Sequence, residues 1–237
     1  MKRFYKEVTT APADDGWRIL LDGRPVRTPA QQPLALPTAA LADAIAAEWR
    51  AQDETVRPHS MPLTRLATTV IDRMPAERAA AIDEIAAYAR TDLLCYRAAE
   101  PFDLVQRQTR VWQPLLDWAA SALDARLEVT TAMVAVPQPE AAVARLRGLA
   151  EALDDWALIG LHAATTALGS IVLGLALLQG RLDAEEALRV SLLDELFEIE
   201  RWGSDTEIER RHAALRRDVV AAGRFLAATG HGSGAPA

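Results

Sequence analysis

The sequence has a single cysteine, Cys95, so it lacks an internal disulfide and any zinc site built from cysteines. One unpaired thiol is typical of a protein from a reducing compartment. The four histidines share no short spacing and no accompanying carboxylate motif, so a metal site has no support in the sequence. We therefore expect a protein without a bound metal.

Phosphate-binding motifs and an excess of basic residues are also missing. The stretches "GRPVRT" and "GSIVLG" lack the Gly-Lys-Ser/Thr ending of a phosphate loop and do not indicate nucleotide hydrolysis. The formal charge of −7 argues against a general affinity for nucleic acid or anionic membranes, because both attract basic surfaces. We expect no cofactor and no nucleic-acid partner.

One uncharged stretch, residues 157–180, is long enough to span a bilayer. Its polar residues, its glycines and the lack of flanking anchors favour a helix buried among other helices. A membrane-associated assembly factor anchored by this stretch remains an alternative. The opening "MKRFYKEV" resembles neither a secretory signal nor a transit peptide, so we predict a bacterial cytoplasmic protein without stable membrane insertion.

The hydrophobic pattern changes its period after the first forty residues. Up to that point, short apolar runs separated by Asp-Gly and Pro predict strands. From Thr38, which can cap a helix, apolar residues recur every three or four positions. Strands followed by helices predict an α+β fold with a small N-terminal β-rich domain and a C-terminal α-helical bundle. We place the β-rich domain at 1–58, the bundle at 59–228 and a disordered tail at 229–237, with helices at 38–53, 62–74, 76–91, 101–126, 139–153, 155–179, 183–202 and 204–228.

Glu195 stands out within "SLLDELFEIERWG", residues 191–203. On a continuous helix it shares one face with Leu188, Leu192, Ile199 and Trp202. A lone buried carboxylate is costly unless it is paired, hydrogen-bonded or protonated. Glu195 is therefore expected either to have a partner inside the fold or to face outward from an apolar surface.

The neighbouring acids leave a catalytic alternative open. Glu195 and Glu198 could serve as a carboxylate pair in a hydrolase-like enzyme if both side chains converged on a concave, partly polar cavity. A solvated acidic face would produce the same pattern, and we favour it for Glu198 and Glu200. The position of the two side chains relative to a cavity discriminates between these interpretations.

Residues 88–119 mix arginines with aromatic residues. This composition is typical of the residues that dominate protein interfaces. An internal arginine paired with Asp92 would leave the same pattern in the sequence. Arg107 and Arg110 are thus candidates either for binding a partner or for an internal pair with Glu195.

Several motifs occur in an order that resembles one known family from about residue 4 to residue 226. The family comprises the assembly chaperones of the F1 ATP synthase alpha subunit. The motifs in this sequence are "GRPVRTP", "LALPT", "EWRAQ", "MPLTRLATTVID", "YARTDLLCYRA", "RQTRVWQPLLDW" and "FEIERWG".

The resemblance implies a small β-rich domain followed by an orthogonal helical bundle, and a binding protein rather than an enzyme. Such a protein holds the unassembled F1 alpha subunit, covers its aggregation-prone surface and releases it to the beta subunit. The resemblance also implies that an acidic residue ahead of the Trp-Gly pair is important, with Glu195 as the first choice. We expect a monomer whose client-binding residues are Glu195, Asp194, Glu198, Trp202, Gly203, Arg107 and Arg110.

Overall fold

The computed structural model describes residues 2–132 and 134–231. Within them, a three-stranded antiparallel sheet precedes nine α-helices, which confirms the predicted α+β fold class. The strands are β1 Val8–Ala13, β2 Gly16–Leu21 and β3 Arg24–Pro25. The helices are α1 Ala39–Arg50, α2 Pro62–Tyr88, α3 Phe102–Ala122, α4 Glu140–Glu151, α5 Asp155–Leu168, α6 Ile171–Leu178, α7 Ala184–Ser191, α8 Leu193–Trp202 and α9 Thr206–Ala228.

The N-terminal unit is a β-hairpin extended by β3 and covered by α1. Strands β1 and β2 pair in antiparallel register from Val8 opposite Leu21 to Ala13 opposite Gly16. The side chain of Thr38 accepts a hydrogen bond from the backbone N–H of Leu41 at 3.1 Å and so caps α1. The helix predicted from the Thr38 cap is therefore present.

Glu48 joins this unit to the helical bundle. Its two carboxylate oxygens accept hydrogen bonds from the backbone N–H groups of Leu63 at 2.7 Å and Thr64 at 2.8 Å, in the first turn of α2. Burial raises the pKa of Glu48, while these hydrogen bonds oppose the rise. One buried apolar cluster extends from Tyr5 to Leu226, so the sheet and the bundle share an interior. The domain boundary between 58 and 59 stays a prediction.

Two predicted helices merge into one at Pro75. The prediction of separate helices at 62–74 and 76–91 is wrong, because α2 continues through the proline. A proline removes one intrahelical hydrogen bond. Buried residues on both sides of it, including Met74 and Ile82, hold the continuous helix against its neighbours.

The prediction of one long helix at 155–179 is also wrong, because this stretch forms two helices instead of one. It breaks where Gly169 takes a φ of +67°, and the hydroxyl of Ser170 then accepts the N–H of Leu173 at 3.0 Å to start α6. The uncharged stretch thus becomes two short buried helices, α5 and α6. Across the described chain, every helix is too short or too polar to reach through a membrane.

Asp92 fixes the point at which α6 begins. It is fully buried, and its carboxylate accepts hydrogen bonds from the Ser170 hydroxyl at 2.8 Å, the Leu94 N–H at 3.0 Å and the Val172 N–H at 3.2 Å. Burial raises the pKa of Asp92 to about 6. Asp92 therefore joins the α2–α3 connection to α6 through a hydroxyl and backbone N–H groups, rather than through the arginine considered above.

The structure describes only the start of the predicted tail at 229–237. Thr229 is buried at the end of α9, and the His231 ring lies 3.1 Å from a carboxylate oxygen of Asp154. Residues 229–231 thus pack against the bundle. Residues 232–237 lie outside the described residues.

The close packing of α5 against α6 generates a stability prediction. A Cβ at Gly174 would lie 2.5 Å from Thr165 Oγ1 and 3.1 Å from Leu161 Cδ1. We expect Gly174→Ala to lower the free energy of unfolding by about 1–3 kcal/mol through overpacking. The matched control Gly148→Ala in α4, where a Cβ meets nothing within 4 Å, should raise it by about 0.5–1 kcal/mol. Urea unfolding measures both, and equal shifts would contradict this packing.

Candidate functional site

A groove of about 730 Å³ lies between α3 and the consecutive helices α7 and α8. Residues of α3 spaced three or four apart, such as Arg107, Val111 and Pro114, form one wall because such residues share a helix face. The apolar lining residues are Val111, Pro114, Leu115, Leu182, Val190, Leu193 and Leu196. The charged lining residues are Arg107, Arg110, Arg181, Glu186, Arg189 and Glu200.

Two side chains of α3 set the position of this wall. Trp112 is fully buried, and its indole N–H donates to the backbone carbonyl of Val190 at 2.9 Å, near the end of α7. One turn earlier, the buried Gln108 donates from Nε2 to Asp194 Oδ1 at 2.8 Å, in the first turn of α8. The groove therefore follows from hydrogen bonds that join α3 to both helices of the opposite wall.

Asp194, the second choice among the predicted site residues, helps to position α8. Burial raises the pKa of Asp194, while the hydrogen bond from Gln108 and the charge of Arg97 oppose the rise. Gln108 also accepts the backbone N–H of Ala98 at 2.8 Å, so both ends of its amide have partners. Asp194 is thus part of the link between α3 and α8.

Glu195 lies on the other side of α8, facing α9. Its carboxylate accepts from Arg211 Nη1 at 3.0 Å and lies 2.7 Å from the ring nitrogen Nε2 of His212. The hydrogen bonds from Arg211 lower the pKa of Glu195. Its side chain remains 39% exposed, so Glu195 is an ion-paired surface carboxylate.

The wheel that placed Glu195 on an apolar face, and its suggested pairing with Arg107 or Arg110, are both wrong. The prediction of one helix over 183–202 fails because α7 ends before Leu192 and α8 begins at Leu193. Leu192, with φ −91° and ψ +11°, interrupts the regular helix, so one helical wheel over 183–202 does not describe α7 and α8 together. Leu188 and Leu192 are buried, whereas Trp202 is 81% exposed.

Arg107 pairs with Glu200 instead of Glu195. Its two guanidinium nitrogens donate to the Glu200 oxygens at 2.7 and 2.8 Å, and the guanidinium lies over the Phe197 ring at 5.1 Å. Arg110 is exposed at the rim of the groove, and Glu198 is exposed on α8. The predicted site residues therefore do not form one cluster but occupy different sides of α8 and α3.

An exposed aromatic patch, Phe102 and Trp202, lies at one end of these helices. Arg201 donates to Asp103 at 3.0 Å, which brings the end of α8 beside the start of α3. Trp202 is 81% and Phe102 71% exposed. Gly203 has a φ of +84° and ends α8 directly after Trp202, a conformation that favours glycine.

Trp202 is among the residues predicted from the sequence, whereas Phe102 and Arg189 are not. Phe102 precedes the buried Leu104 by two positions, and residues two apart do not share a helix face. That signal was available in the sequence. Arg110 and Arg189 line the same groove because Trp112 of α3 is hydrogen-bonded to Val190 near the end of α7, and no local sequence pattern indicates this tertiary contact.

The catalytic alternative requires Glu195 and Glu198 to converge on a cavity. Neither side chain lines the groove between α3 and α7–α8. Glu195 is engaged by Arg211 and His212, and Glu198 points into solvent. Over residues 2–132 and 134–231, no group of three or more His, Cys, Asp or Glu side chains could hold a metal ion.

An apolar groove rimmed by arginines, beside two exposed aromatic rings, is typical of a surface that binds another protein. A family model described as "ATP12 chaperone protein" matches residues 2–120, which is more than half of the 237-residue chain. The chain belongs to the ATP12 chaperone family. The family named from the sequence motifs is thereby confirmed.

Individual relatives cover nearly the whole chain. The mitochondrial protein atp12 of Schizosaccharomyces pombe is 26% identical over an alignment of 230 residues, and the match covers 92% of this chain and 78% of that protein. The crystal structure of Atp12 from Paracoccus denitrificans is 43% identical with a TM-score of 0.90, and the match covers 96% of this chain and 98% of that one. A protein of Agrobacterium tumefaciens, described as a proposed chaperone, is 43% identical with a TM-score of 0.90, over 96% of this chain and 85% of that one.

The ion pair between Glu195 and Arg211 is exposed, so we predict that it contributes little to the free energy of unfolding. We expect Glu195→Gln to lower the free energy of unfolding by less than about 1 kcal/mol at neutral pH, since exposed ion pairs contribute about 0–1 kcal/mol. Because the pKa of Glu195 is lowered, the contribution is present at neutral pH and is lost as the pH falls through that lowered pKa.

A double-mutant cycle of Glu195→Gln and Arg211→Gln, measured by chemical unfolding at several salt concentrations, tests this expectation. The coupling should be about 0.2–1 kcal/mol and should decrease with salt. A coupling of several kcal/mol that salt does not change would mean that Glu195 is chiefly structural.

Proposed function

We propose that this protein is an assembly chaperone that binds the unassembled alpha subunit of F1 ATP synthase and keeps it from aggregating until the beta subunit replaces the chaperone. Membership of the ATP12 chaperone family and the ordered motifs of the sequence support this proposal. The observation that carries it is the exposed aromatic patch of Phe102 and Trp202 beside the groove. A large aromatic ring in water is energetically unfavourable unless a partner covers it.

The proposed client also exposes apolar surface before it is assembled. A subunit that awaits its partner exposes apolar interface surface, and such surfaces self-associate. Aromatic residues and arginines contribute most of the binding energy at many protein interfaces. Trp202 and Phe102 are therefore the anchors that we assign to the client.

The remaining predicted residues have distinct proposed roles. Glu195 is exposed enough to accept a charged hydrogen bond from the client while it remains paired with Arg211. Asp194 holds α8 in place, and Gly203 lets the chain turn immediately after Trp202. Glu198 is exposed on α8, and we assign it to the rim of the interface, where a charge affects the rate of association more than the affinity.

Three further expectations belong to this proposal. The chaperone acts without catalysis and without a cofactor. It is a monomer that works in the bacterial cytoplasm, where the client is made. We also propose that the chain is divided into a β-rich domain at 1–58 and a helical bundle domain at 59–228.

Co-purification with separately expressed alpha and beta subunits tests the proposal. We expect the wild-type chain to capture alpha and not beta, because alpha is the proposed client. Trp202→Ala should weaken capture of alpha by about tenfold or more, the usual effect of truncating an interface anchor. Glu195→Gln should weaken capture by less, since its carboxylate already has partners within the chain.

The matched control is Phe4→Ala, which truncates another exposed aromatic residue in the N-terminal unit. It should leave capture unchanged. All variants should keep the thermal unfolding of the wild type. If folded wild-type chain captures neither subunit, or captures beta equally well, the proposed function is wrong.

A further inference from the structure

The groove between α3 and α7–α8 has a charge opposite to that of the whole chain. The chain carries 33 acidic and 26 basic residues, for a net charge of −7. The groove lining instead contains four arginines and two glutamates. A positive rim on an acidic protein is a local feature that favours a negatively charged ligand.

Both glutamates of the groove lining already accept hydrogen bonds from other residues of the chain. Glu200 receives both hydrogen bonds of Arg107, at 2.7 and 2.8 Å. Glu186 closes the capping box of α7 by accepting the backbone N–H of Asp183 at 3.1 Å. Glu200 offsets the charge of Arg107, and Glu186 keeps its negative charge, so four arginines and two glutamates leave the rim with a net charge of +2.

Two arginines of the rim remain without a partner. Arg110 on α3 and Arg189 on α7 are exposed, and in the part of the chain that the structure describes they form no hydrogen bond or ion pair. Arg181 differs from them because its guanidinium lies over the Trp118 ring at 5.3 Å. The unpaired cations thus stand on opposite walls of the groove.

The lining between these cations is apolar. Val111, Leu182, Val190 and Leu196 are each partly exposed to the groove. The volume of about 730 Å³ falls within the range of about 300–1,000 Å³ that is typical of ligand pockets, so it can take a few side chains. A suitable ligand therefore has apolar groups in its middle, to contact the lining, and carboxylates on either side of them, to reach the two arginines.

We propose that this groove binds a segment of the client subunit in which apolar side chains are flanked by carboxylates. The carboxylates pair with Arg110 and Arg189, for which the planar guanidinium is well suited, and the apolar side chains contact Val111, Val190 and Leu196. The inference rests on the proposed function, because it specifies the chemistry of the alpha-subunit segment. Inorganic phosphate or a similar small anion would satisfy the arginines but would leave the apolar lining uncovered.

The test compares three double variants in binding purified alpha subunit at low and moderate salt. Arg110→Glu/Arg189→Glu should weaken binding by at least about tenfold, because it places like charges opposite the carboxylates of the client. The control Arg57→Glu/Arg126→Glu makes the same change in net charge at exposed arginines outside the groove and should bind nearly as well as wild type. Arg110→Gln/Arg189→Gln should give an intermediate loss and serves as the second variant if charge reversal impairs folding.

The outcomes separate this inference from the proposed function. If Arg110→Glu/Arg189→Glu binds alpha as well as wild type and the control variant do, the groove inference is overturned while the proposed function stands. If wild type does not bind alpha, both are overturned. Displacement of alpha by millimolar inorganic phosphate, with binding of phosphate lost in Arg110→Glu/Arg189→Glu, would identify a small-anion site and also overturn the inference.

Discussion

The surface of this chaperone depends on the hydrogen bonds that hold α3 against the corner between α7 and α8. Trp112 donates to the carbonyl of Val190 on one side of that corner, and Gln108 donates to Asp194 on the other. Buried polar groups are costly when unpaired, so both contacts specify one arrangement of the three helices. Since α3 cannot slide without breaking them, the groove and the aromatic patch keep a fixed geometry relative to each other.

This fixed geometry lets an acidic protein present a basic, partly apolar surface. Glu200 at the rim of the groove pairs with Arg107, whereas Arg110 and Arg189 stay available. Trp202 and Phe102 extend the surface past the end of α8. The proposed binding of the client combines apolar contact with charge complementarity, and such a combination favours a specific client over general apolar binding.

The fold class, the β-rich start and the helix capped by Thr38 were predictable, since each depends on a local period or a capping residue. The breaks at Gly169 and Leu192 were not, because both lie inside patterns that fit a continuous helix. The second break misplaced Glu195, because a single helical wheel does not apply across two separate helices. The wheel also groups Trp202 with Leu188 and Leu192, which are buried, whereas Trp202 is 81% exposed. Arg189 was not predictable as a lining residue of the groove, because the groove forms only through tertiary contacts between distant helices.

The most direct measurement of the central claim is site-specific cross-linking to purified alpha subunit. The sole cysteine, Cys95, is buried, and burial raises its thiol pKa to about 12, so a thiol introduced on the surface is the reactive one. A photoreactive cross-linker attached to Arg189→Cys should give adducts with alpha, while the same label on Arg126→Cys, outside the groove, should give few. Equal yields from both positions, or none from Arg189→Cys in a complex that does form, would contradict the account.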